Sequence, residues 1–215
     1  MKLVIGNKAY SSWSFRPWLL MRVLGLPFEE ELIPLYRDGS AERIRAASPG
    51  GKVPALIDGD IVVWESLSII EYIADRFPDR VWPFDRAARA HARSLSTEMH
   101  AGFAALRSRC PMNIRRAPKS VTLGPDVEAN VARIVAGWTE ARSRFGAGGP
   151  FLYGAFSGAD AMYAPVVSRF HSYAVAVPPP VRAYMERIMA LPAWQEWKEA
   201  ADAEPWHLAD SDDVI

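Results

Sequence analysis

The chain has 215 residues, half of them hydrophobic and 23% of them charged, which is typical of one large or two small globular domains. Its 25 basic and 25 acidic residues balance to a formal net charge of zero, which argues against a general nucleic-acid-binding protein. A single cysteine excludes an internal disulfide framework, and the lack of a secretory signal or of an apolar run near ~18 residues predicts a cytoplasmic protein without a membrane span.

The first eighty residues predict a small α/β unit. Apolar runs, turn residues and helical spacing give, in chain order, a strand at Lys2–Ile5, a helix from near Ser14 to Leu24, a strand at Phe28–Ile33, a hairpin of Ala55–Ile57 with Ile61–Trp64, and a helix at Ser66–Phe77. The first helix is expected to begin near Ser14 because Pro17 is tolerated only in a first turn. Such an order of elements is typical of a layered α/β domain.

From residue 86 onward the pattern is helical. One helical face is predicted from side chains spaced three or four residues apart, namely Leu95, Met99, Phe103, Leu106 and Cys110. Further helices are predicted over 127–138, after a capping box at Ser157–Asp160, at Arg182–Ala190 and after Pro192. We therefore expect an α/β domain at 1–82 and an all-helical domain at 86–215. The all-helical domain is expected to end in a mobile tail that contains Asp210, Asp212 and Asp213.

Three serines, Ser11, Ser12 and Ser14, lie between the first predicted strand and the first helix. A serine at a helix N-terminus caps backbone N–H groups, and Ser14 is the candidate cap. One cap needs only one serine, however, and a helix N-terminus also favours a bound anion. A nucleophilic serine hydrolase is disfavoured because the Gly-x-Ser-x-Gly elbow is absent and all four histidines lie in the helical part.

A second candidate site combines Lys52-Val53-Pro54 with Glu65-Ser66. A proline that opens a strand is typical of a sheet edge, and Ser66 is suited to cap the helix that follows. Alternatively, a carboxylate, a hydroxyl and free backbone N–H groups at one helix end can hold an ammonium and a carboxylate together, as in the backbone end of an amino acid. Either motif alone is a weak signal, whereas both together in this order are specific.

Together, these motifs resemble the glutathione transferase family over essentially the whole chain. The N-terminal part is similar to the family's thioredoxin-like domain, and Ser157–Asp160 is similar to the capping box of its helical domain. The segment Ser11–Arg16 is most similar to the serine motif of the zeta class. The resemblance implies a thioredoxin-like α/β domain followed by an all-α helical bundle.

The resemblance also implies how glutathione, the co-substrate, is held without a metal. A cis peptide is implied before Pro54, with the Val53 backbone pairing with the cysteinyl backbone of glutathione. Glu65 and Ser66 would bind the γ-glutamyl end, and Lys52 would lie near the glycine carboxylate.

The catalytic residues implied by the resemblance are Ser11 and Ser12. A serine hydroxyl that donates to the sulfur, at the positive end of a helix, favours the reactive thiolate. Serine acts here as a hydrogen-bond donor and needs no histidine. A zeta-like register favours Ser11 as the donor with Ser12 in support, whereas a theta-like register favours Ser12.

Two positions depart from the zeta pattern. Trp13 stands where the zeta class has cysteine, so thiol-exchange activity lacks its residue. Ser172 stands where maleylacetoacetate isomerases of the family place an arginine for a substrate carboxylate, and Arg169, one turn earlier, is the alternative cation. A zeta-type maleylacetoacetate or maleylpyruvate isomerase is therefore the alternative function.

A basic stretch extends over residues 86–125, with eight cationic side chains and one acidic side chain. It is either a solvated helix face or a cleft wall that favours an anionic co-substrate through Arg107, Arg109 or Arg115. In the second case we expect the second-substrate pocket to be lined by Phe103, Arg107, Cys110 and Met112. Cys110 is expected to behave as a small buried side chain and not as a reactive thiol.

We therefore predict a glutathione transferase that ionises the glutathione thiol and conjugates it to a small electrophile, or isomerises one, in detoxification. The competing interpretation is a non-catalytic binding module of the same fold. It is disfavoured because the serine cluster and Glu65-Ser66 are both present. The resemblance also implies a homodimer, the commonest form of soluble oligomer. No nucleic-acid, membrane or metal partner is expected.

Overall fold

The computed structural model describes residues 1–214. A mixed sheet in the order β2-β1-β3-β4 is built from β1 (Lys2–Ile5), β2 (Glu29–Leu32), β3 (Ala55–Asp58) and β4 (Ile61–Trp64). Strand β1 pairs in parallel with β2 and antiparallel with β3, and β3 and β4 form an antiparallel hairpin. Each strand agrees with its predicted position to within one residue at either end.

Ten helices lie within residues 1–214: α1 (Ser12–Val23), α2 (Ser40–Ala47), α3 (Ser66–Arg76), α4 (Arg86–Ala101), α5 (Ala104–Arg109), α6 (Pro125–Phe145), α7 (Gly158–Ser172), α8 (Pro179–Met189), α9 (Pro192–Asp202) and α10 (Ala209–Asp212). In this part of the chain, no helix combines the length and the apolar character needed to cross a bilayer. We refer to residues 1–82 as the α/β half and to residues 86–214 as the helical half.

The sheet is covered on both faces, because successive side chains of a strand point to opposite sides. Leu3 and Ile5 of β1 belong to a large core shared with α1, α3 and the helical half. Val4, between them, packs in a smaller cluster with Ile44 of α2. This layered sheet followed by helices alone confirms the predicted thioredoxin-like domain and helical domain.

The two halves pack through α1, which lies against α7 and α9. The ring of Trp197 on α9 stacks on Phe15 at 4.9 Å, and its indole N–H donates to the Lys8 carbonyl at 2.8 Å. Arg16 Nε donates to the Met162 carbonyl of α7 at 2.9 Å. The helical half therefore fixes both the segment that precedes α1 and the first turns of α1.

The prediction that Ser14 caps the first helix is wrong, because α1 begins at Ser12, two residues before Ser14, with Ser11 at its N-cap. The Ser14 hydroxyl lies inside the protein and accepts from the Gly6 N–H at 3.1 Å. Pro17 consequently falls in the second turn, where it removes one hydrogen bond from the helix ladder without ending the helix.

The single helical face predicted around Phe103 is divided between two helices. Helix α4 ends at Ala101, and Phe103 has a left-handed backbone with φ of 58° before α5 begins. Gly102 makes the break possible, since a Cβ at this position would lie 2.8 Å from the Glu98 carbonyl oxygen. The apolar spacing identified the buried side chains correctly but not the interruption of the backbone.

Candidate functional site

Ser11 directs its hydroxyl into the protein. Its Oγ donates to Ser14 Oγ at 2.7 Å, and Ser14 Oγ also accepts from the Gly6 N–H. The Ser11 hydroxyl is therefore held within the turn that leads into α1. Such a contact stabilises the turn, because it pairs polar groups that are buried together.

Ser12, the first residue of α1, is contacted by two arginines. Its Oγ lies 3.4 Å from Arg169 Nη2 of α7, and its carbonyl accepts from Arg16 Nη1 at 2.9 Å. Because a guanidinium can only donate, the Ser12 hydroxyl is the acceptor in the first contact. Its own proton remains available for a further acceptor.

Two adjoining cavities open beside these serines. One of about 460 Å³ is lined by Ser11 and Ser12 together with residues of the α2 region. The other, of about 220 Å³, is lined by Trp13, Lys52, Val53, Pro54, Trp64, Glu65, His100 and Arg107. Trp13, Lys52 and Val53 belong to both linings, so we describe the two cavities as one cleft.

The Val53-Pro54 peptide is cis, as the sequence resemblance implied. It lies directly before β3, in the middle of the cleft. The Val53 backbone takes no part in the sheet or turn hydrogen bonds found within residues 1–214. Its N–H and C=O groups can therefore pair with an extended ligand backbone, as the edge of a sheet does.

Glu65 and Ser66 form the N-terminus of α3. The prediction that Ser66 is the N-cap is wrong, since Glu65 occupies that position with φ of 68°. A positive φ at a non-glycine residue is energetically costly and is concentrated at functional sites. The Ser66 hydroxyl is buried without a hydrogen-bond partner among residues 1–214. An unpaired buried hydroxyl at a helix N-terminus indicates a place for a polar ligand group.

The Glu65 carboxylate faces His100 of α4, with Oε2 and Nε2 3.7 Å apart. Burial lowers the pKa of His100 below its ordinary value, and the nearby Arg16 and Arg107 lower it further, against the opposing effect of Glu65. The imidazole is therefore predominantly neutral at pH 7, and the half-exposed carboxylate is free to bind a cation.

Trp13 is held between three side chains. The Arg16 guanidinium lies 4.0 Å from the centre of its ring, and that of Arg107 lies at 5.4 Å. The His100 ring packs edge-on at 5.3 Å. No sequence signal distinguishes His100, because an isolated histidine in a helix carries no local motif. Arg107 was one of three cationic candidates, and the structure places it in the cleft lining.

Three arginines, Arg16, Arg107 and Arg169, form a cationic cluster behind Ser12 and Trp13. Within residues 1–214, no carboxylate lies within salt-bridge distance of any of them. Burial, together with Arg107, lowers the pKa of Arg169 to about 10, so that its side chain remains charged at pH 7. The N-terminus of α1 therefore lies in an electropositive environment that favours an anion.

The other predicted second-substrate residues lie elsewhere. Phe103, Cys110 and Met112 are buried in the large core and belong to the lining of neither cavity. Burial raises the pKa of the Cys110 thiol above its ordinary value, in agreement with its expected inert character. Arg109 is exposed and donates to the Thr122 carbonyl.

The acidic tail, which the sequence predicts to be mobile, lies beside the cleft and is held there through Asp212. Asp212 accepts from the Tyr10 hydroxyl at 2.5 Å and from Asn113 Nδ2 at 2.7 Å. Arg115, which also contacts the Tyr10 hydroxyl, donates to the Trp206 carbonyl at 3.0 Å. Burial and the Asp212 carboxylate raise the pKa of Tyr10 to about 12. Arg115 therefore holds the C-terminal tail in place.

The position expected to bind a substrate carboxylate in an isomerase is closed. Ser172 is buried and donates to the Asn113 carbonyl at 3.3 Å. Each nitrogen of Arg169, the alternative cation, already has an acceptor: the carbonyls of Cys110 and Pro165 and the Ser12 hydroxyl. Among the three arginines of the cationic cluster, Arg107 is therefore the one best placed to meet a ligand in the cleft.

Comparison with known proteins agrees with this geometry. The family model of the glutathione S-transferase N-terminal domain matches residues 10–76, and that of the glutathione S-transferase C-terminal domain matches residues 124–187. A probable maleylacetoacetate isomerase of Caenorhabditis elegans is 31% identical over 43% of this chain and 44% of its own length. Glutathione S-transferase 1 of Dianthus caryophyllus is 32% identical over 41% of each chain. These matches span less than half of the length of either relative.

Solved structures extend the likeness of fold to nearly the whole chain. A glutathione transferase homologue from Burkholderia, solved with bound glutathione, superposes with a TM-score of 0.71 over 94% of this chain and 98% of its own, at 23% identity. An unclassified glutathione S-transferase from Bombyx mori gives a TM-score of 0.71 over 100% and 97%, at 21% identity. At these identities the likeness establishes the fold.

Proposed function

The chain belongs to the glutathione S-transferase family, and we propose that it is a transferase that ionises the thiol of glutathione for reaction with a small electrophile. The observation that carries this proposal is the arrangement at Ser12. Ser12 lines the cleft at the N-terminus of α1, and its hydroxyl accepts a hydrogen bond from Arg169, so that its own proton is available to a bound sulfur.

Glutathione would lie along the cleft with its γ-glutamyl end at α3. The Glu65 carboxylate suits the α-ammonium group, and the buried Ser66 hydroxyl suits the α-carboxylate. The Val53 backbone would pair with the cysteinyl residue, and the exposed Lys52 would meet the glycine carboxylate. This orientation directs the cysteinyl thiol towards the N-terminus of α1.

Ionisation of the thiol is the step that the site is suited to assist. A free cysteine thiol has a pKa of about 8.5, so that little thiolate exists at neutral pH. A hydrogen bond from Ser12, the N-terminal dipole of α1 and the cationic cluster all favour the negative sulfur. The thiol proton passes to water, and the thiolate forms a carbon–sulfur bond with the electrophile. In a halide, the leaving group departs with the bonding electrons; in an epoxide, the ring oxygen keeps them and takes a proton from water. Ser12 stays protonated throughout.

Ser12 replaces Ser11 as the favoured donor in this proposal. The Ser11 hydroxyl is bonded to Ser14 Oγ inside the turn, whereas the Ser12 hydroxyl accepts from Arg169 and no acceptor within residues 1–214 takes its proton. Ser11 supports catalysis by holding the turn in front of α1. The theta-like register therefore fits the geometry better than the zeta-like register.

Isomerisation of an anionic electrophile is the second candidate function. It is supported by the position of Arg107 in the cleft, where its Nε is buried without a partner among residues 1–214. The names of the relatives in Caenorhabditis elegans and in Vibrio cholerae, both probable maleylacetoacetate isomerases, point in the same direction. An anionic substrate group would neutralise part of the cationic cluster.

A homodimer is part of the proposal. Ile61 and Val62 on the edge strand β4 are exposed large apolar side chains, which an edge strand without a partner rarely presents. Light scattering at micromolar concentration should give twice the monomer mass of 23.9 kDa. A monomer mass would contradict the dimer but not the transferase. A cytoplasmic role in detoxification stays a prediction.

The test of function combines binding with turnover. Trp13 and Trp64 line the cleft, so glutathione binding should change the tryptophan fluorescence. The rate of conjugation to a generic aromatic halide and to an epoxide should then saturate with increasing glutathione concentration. Binding without turnover of any electrophile would favour the non-catalytic module, and no binding would contradict the proposed site.

A further inference from the structure

We propose that Arg169 is a positioning residue, supplied by the helical half, that holds the Ser12 hydroxyl as a hydrogen-bond donor to the glutathione sulfur. The inference deepens the proposed function and rests on it. Arg169, on α7, belongs to the lining of neither cavity and is buried away from the ligand. Its effect on the ionisation of the thiol is therefore indirect.

The direction of the Ser12 O–H bond follows from which of its neighbours can donate and which can accept a hydrogen bond. A serine hydroxyl has one proton and can also accept. Arg169 Nη2, at 3.4 Å, can only donate, and it therefore occupies an acceptor position of Ser12 Oγ. The Ser12 proton must then point to a different partner. In the complex, the thiolate sulfur is the anionic acceptor that the cleft brings to this end of α1.

Arg169 is itself held in place from within the helical half. Its Nε donates to the Cys110 carbonyl at 2.8 Å, and its Nη1 donates to the Pro165 carbonyl at 3.3 Å. Both acceptors are backbone atoms, which do not neutralise the positive charge. A planar guanidinium with two fixed anchors directs its remaining nitrogen with little loss of side-chain freedom.

The charge of Arg169 adds to the effect of its geometry. Its side chain is buried, and within residues 1–214 no carboxylate lies within salt-bridge distance of it. A cation that donates to a hydroxyl polarises the O–H bond and strengthens the hydrogen bond that this hydroxyl donates in turn. The sulfur therefore experiences Arg169 through Ser12.

The experiment compares the bound thiol in the wild type, Arg169→Gln and Arg169→Lys. Glutathione is titrated from pH 5 to 10 in each complex, and the thiolate is followed by its ultraviolet absorbance. Arg169→Gln should raise the pKa of the bound thiol by about one unit, and Arg169→Lys, which keeps the charge, by less. The turnover number should fall while the dissociation constant of glutathione changes less than threefold.

Arg142→Gln is the matched control. Arg142 is half-buried on α6 of the helical half and donates to the Phe151 backbone carbonyl at 2.5 Å, away from the cleft. Loss of this arginine should lower the melting temperature without moving the pKa of the bound thiol. If Arg169→Gln does not fold, Arg169→Lys carries the comparison, since its shorter side chain cannot keep all three contacts.

The double variant Ser12→Ala with Arg169→Gln tests whether Arg169 acts through Ser12. The pKa of the bound thiol should match that of Ser12→Ala alone, because the hydroxyl that transmits the effect is gone. If the thiol pKa shifts of the two single variants add in the double variant, the inference is overturned in favour of a direct effect of the Arg169 charge on the sulfur. An unchanged thiol pKa in Arg169→Gln and Arg169→Lys, with a lower melting temperature alone, would reduce Arg169 to a structural residue.

Failure of the proposed function gives a different pattern. A wild-type complex whose thiol titrates as in free glutathione would overturn both the proposed function and the role of Arg169. A wild-type complex with a depressed thiol pKa that Arg169→Gln leaves unchanged would overturn the role of Arg169 alone.

Discussion

The two halves of the molecule contribute to the cleft in different ways. The α/β half supplies side chains of the α2 region and three short contiguous segments, at Tyr10–Trp13, Gly51–Pro54 and Trp64–Glu65. The helical half supplies isolated side chains from separate helices, with His100 on α4 and Arg107 on α5 in the cleft lining, and Arg169 on α7 behind Ser12.

We infer from this difference that the α/β half binds glutathione, whereas the helical half changes the electrostatic environment in which it is bound. The segments of the α/β half offer backbone groups, helix N-termini and an unpaired hydroxyl, which suit the constant peptide part of glutathione. The side chains of the helical half are cationic or aromatic and change the electrostatic environment of those segments. Variants in the first set should impair binding or chemistry outright, whereas variants in the second set should modulate it.

The largest effect is expected at the serines. Ser12→Ala should reduce turnover by about 10- to 1,000-fold, since removing one donor from a developing anion has effects up to this size. Ser11→Ala should reduce turnover by less, because its hydroxyl bonds Ser14. Steady-state kinetics with an aromatic halide checks both. If Ser11→Ala has the larger effect and Ser12→Ala behaves as wild type, the zeta-like register is right.

Trp197→Ala tests how the halves depend on each other. Removing this fully buried ring should lower the free energy of unfolding by about 3–5 kcal/mol. It also releases the Lys8 carbonyl just before the serine segment, so glutathione affinity should fall in protein that is still folded. Trp138→Ala, in the interior of the helical half, is the control. It should be similarly destabilising but should leave the affinity unchanged.

Glu65→Ala tests recognition at α3. A charged hydrogen bond contributes about 1.5–3 kcal/mol, so loss of the carboxylate should weaken glutathione binding roughly tenfold or more. Asp75→Ala removes an exposed carboxylate from the same helix and should have no effect. Tryptophan fluorescence titration measures both dissociation constants. Equal affinities for the two variants would place the γ-glutamyl site elsewhere.

The smallest predicted effect is that of Arg107. Arg107→Ala should raise KM several-fold for an anionic electrophile and leave KM for a neutral one nearly unchanged. Arg109→Ala provides the control, because Arg109 lies on the same helix but is exposed and bonds the Thr122 carbonyl. Equal changes in KM for anionic and neutral electrophiles would show that Arg107 does not select anionic electrophiles, as expected for an arginine on a solvated helix face.

The difference between contiguous segments in the α/β half and isolated side chains in the helical half also explains which features could be predicted from the sequence. The strands and the layered α/β order follow from local patterns of polarity and turn residues. The contiguous motifs at Ser12, Val53 and Glu65 could be identified because together they resemble the glutathione transferase family. Contacts between distant segments do not follow from local patterns, because no local rule relates α7 to the start of α1. Arg169 was accordingly considered only as a substrate ligand, and His100 was not identified.

Local patterns also failed where tertiary contacts decide the backbone. Ser14 resembles a helix cap, but the Gly6 N–H and the Ser11 hydroxyl bind it inside the fold. The acidic tail has the composition of a mobile segment, but a buried tyrosine, an asparagine and Arg115 satisfy Asp212. In each case a partner far away in sequence, or on another element, outweighs the local preference.

The pKa of the glutathione thiol in the wild-type complex, compared with that in the Ser12→Ala complex, tests the central claim most directly. The account predicts a wild-type value about two units below the ~8.5 of a free thiol, which corresponds to about 2.7 kcal/mol of preference for the thiolate. Ser12→Ala should return the value towards that of the free thiol while glutathione still binds. Equal thiol pKa values in the two complexes would contradict the account.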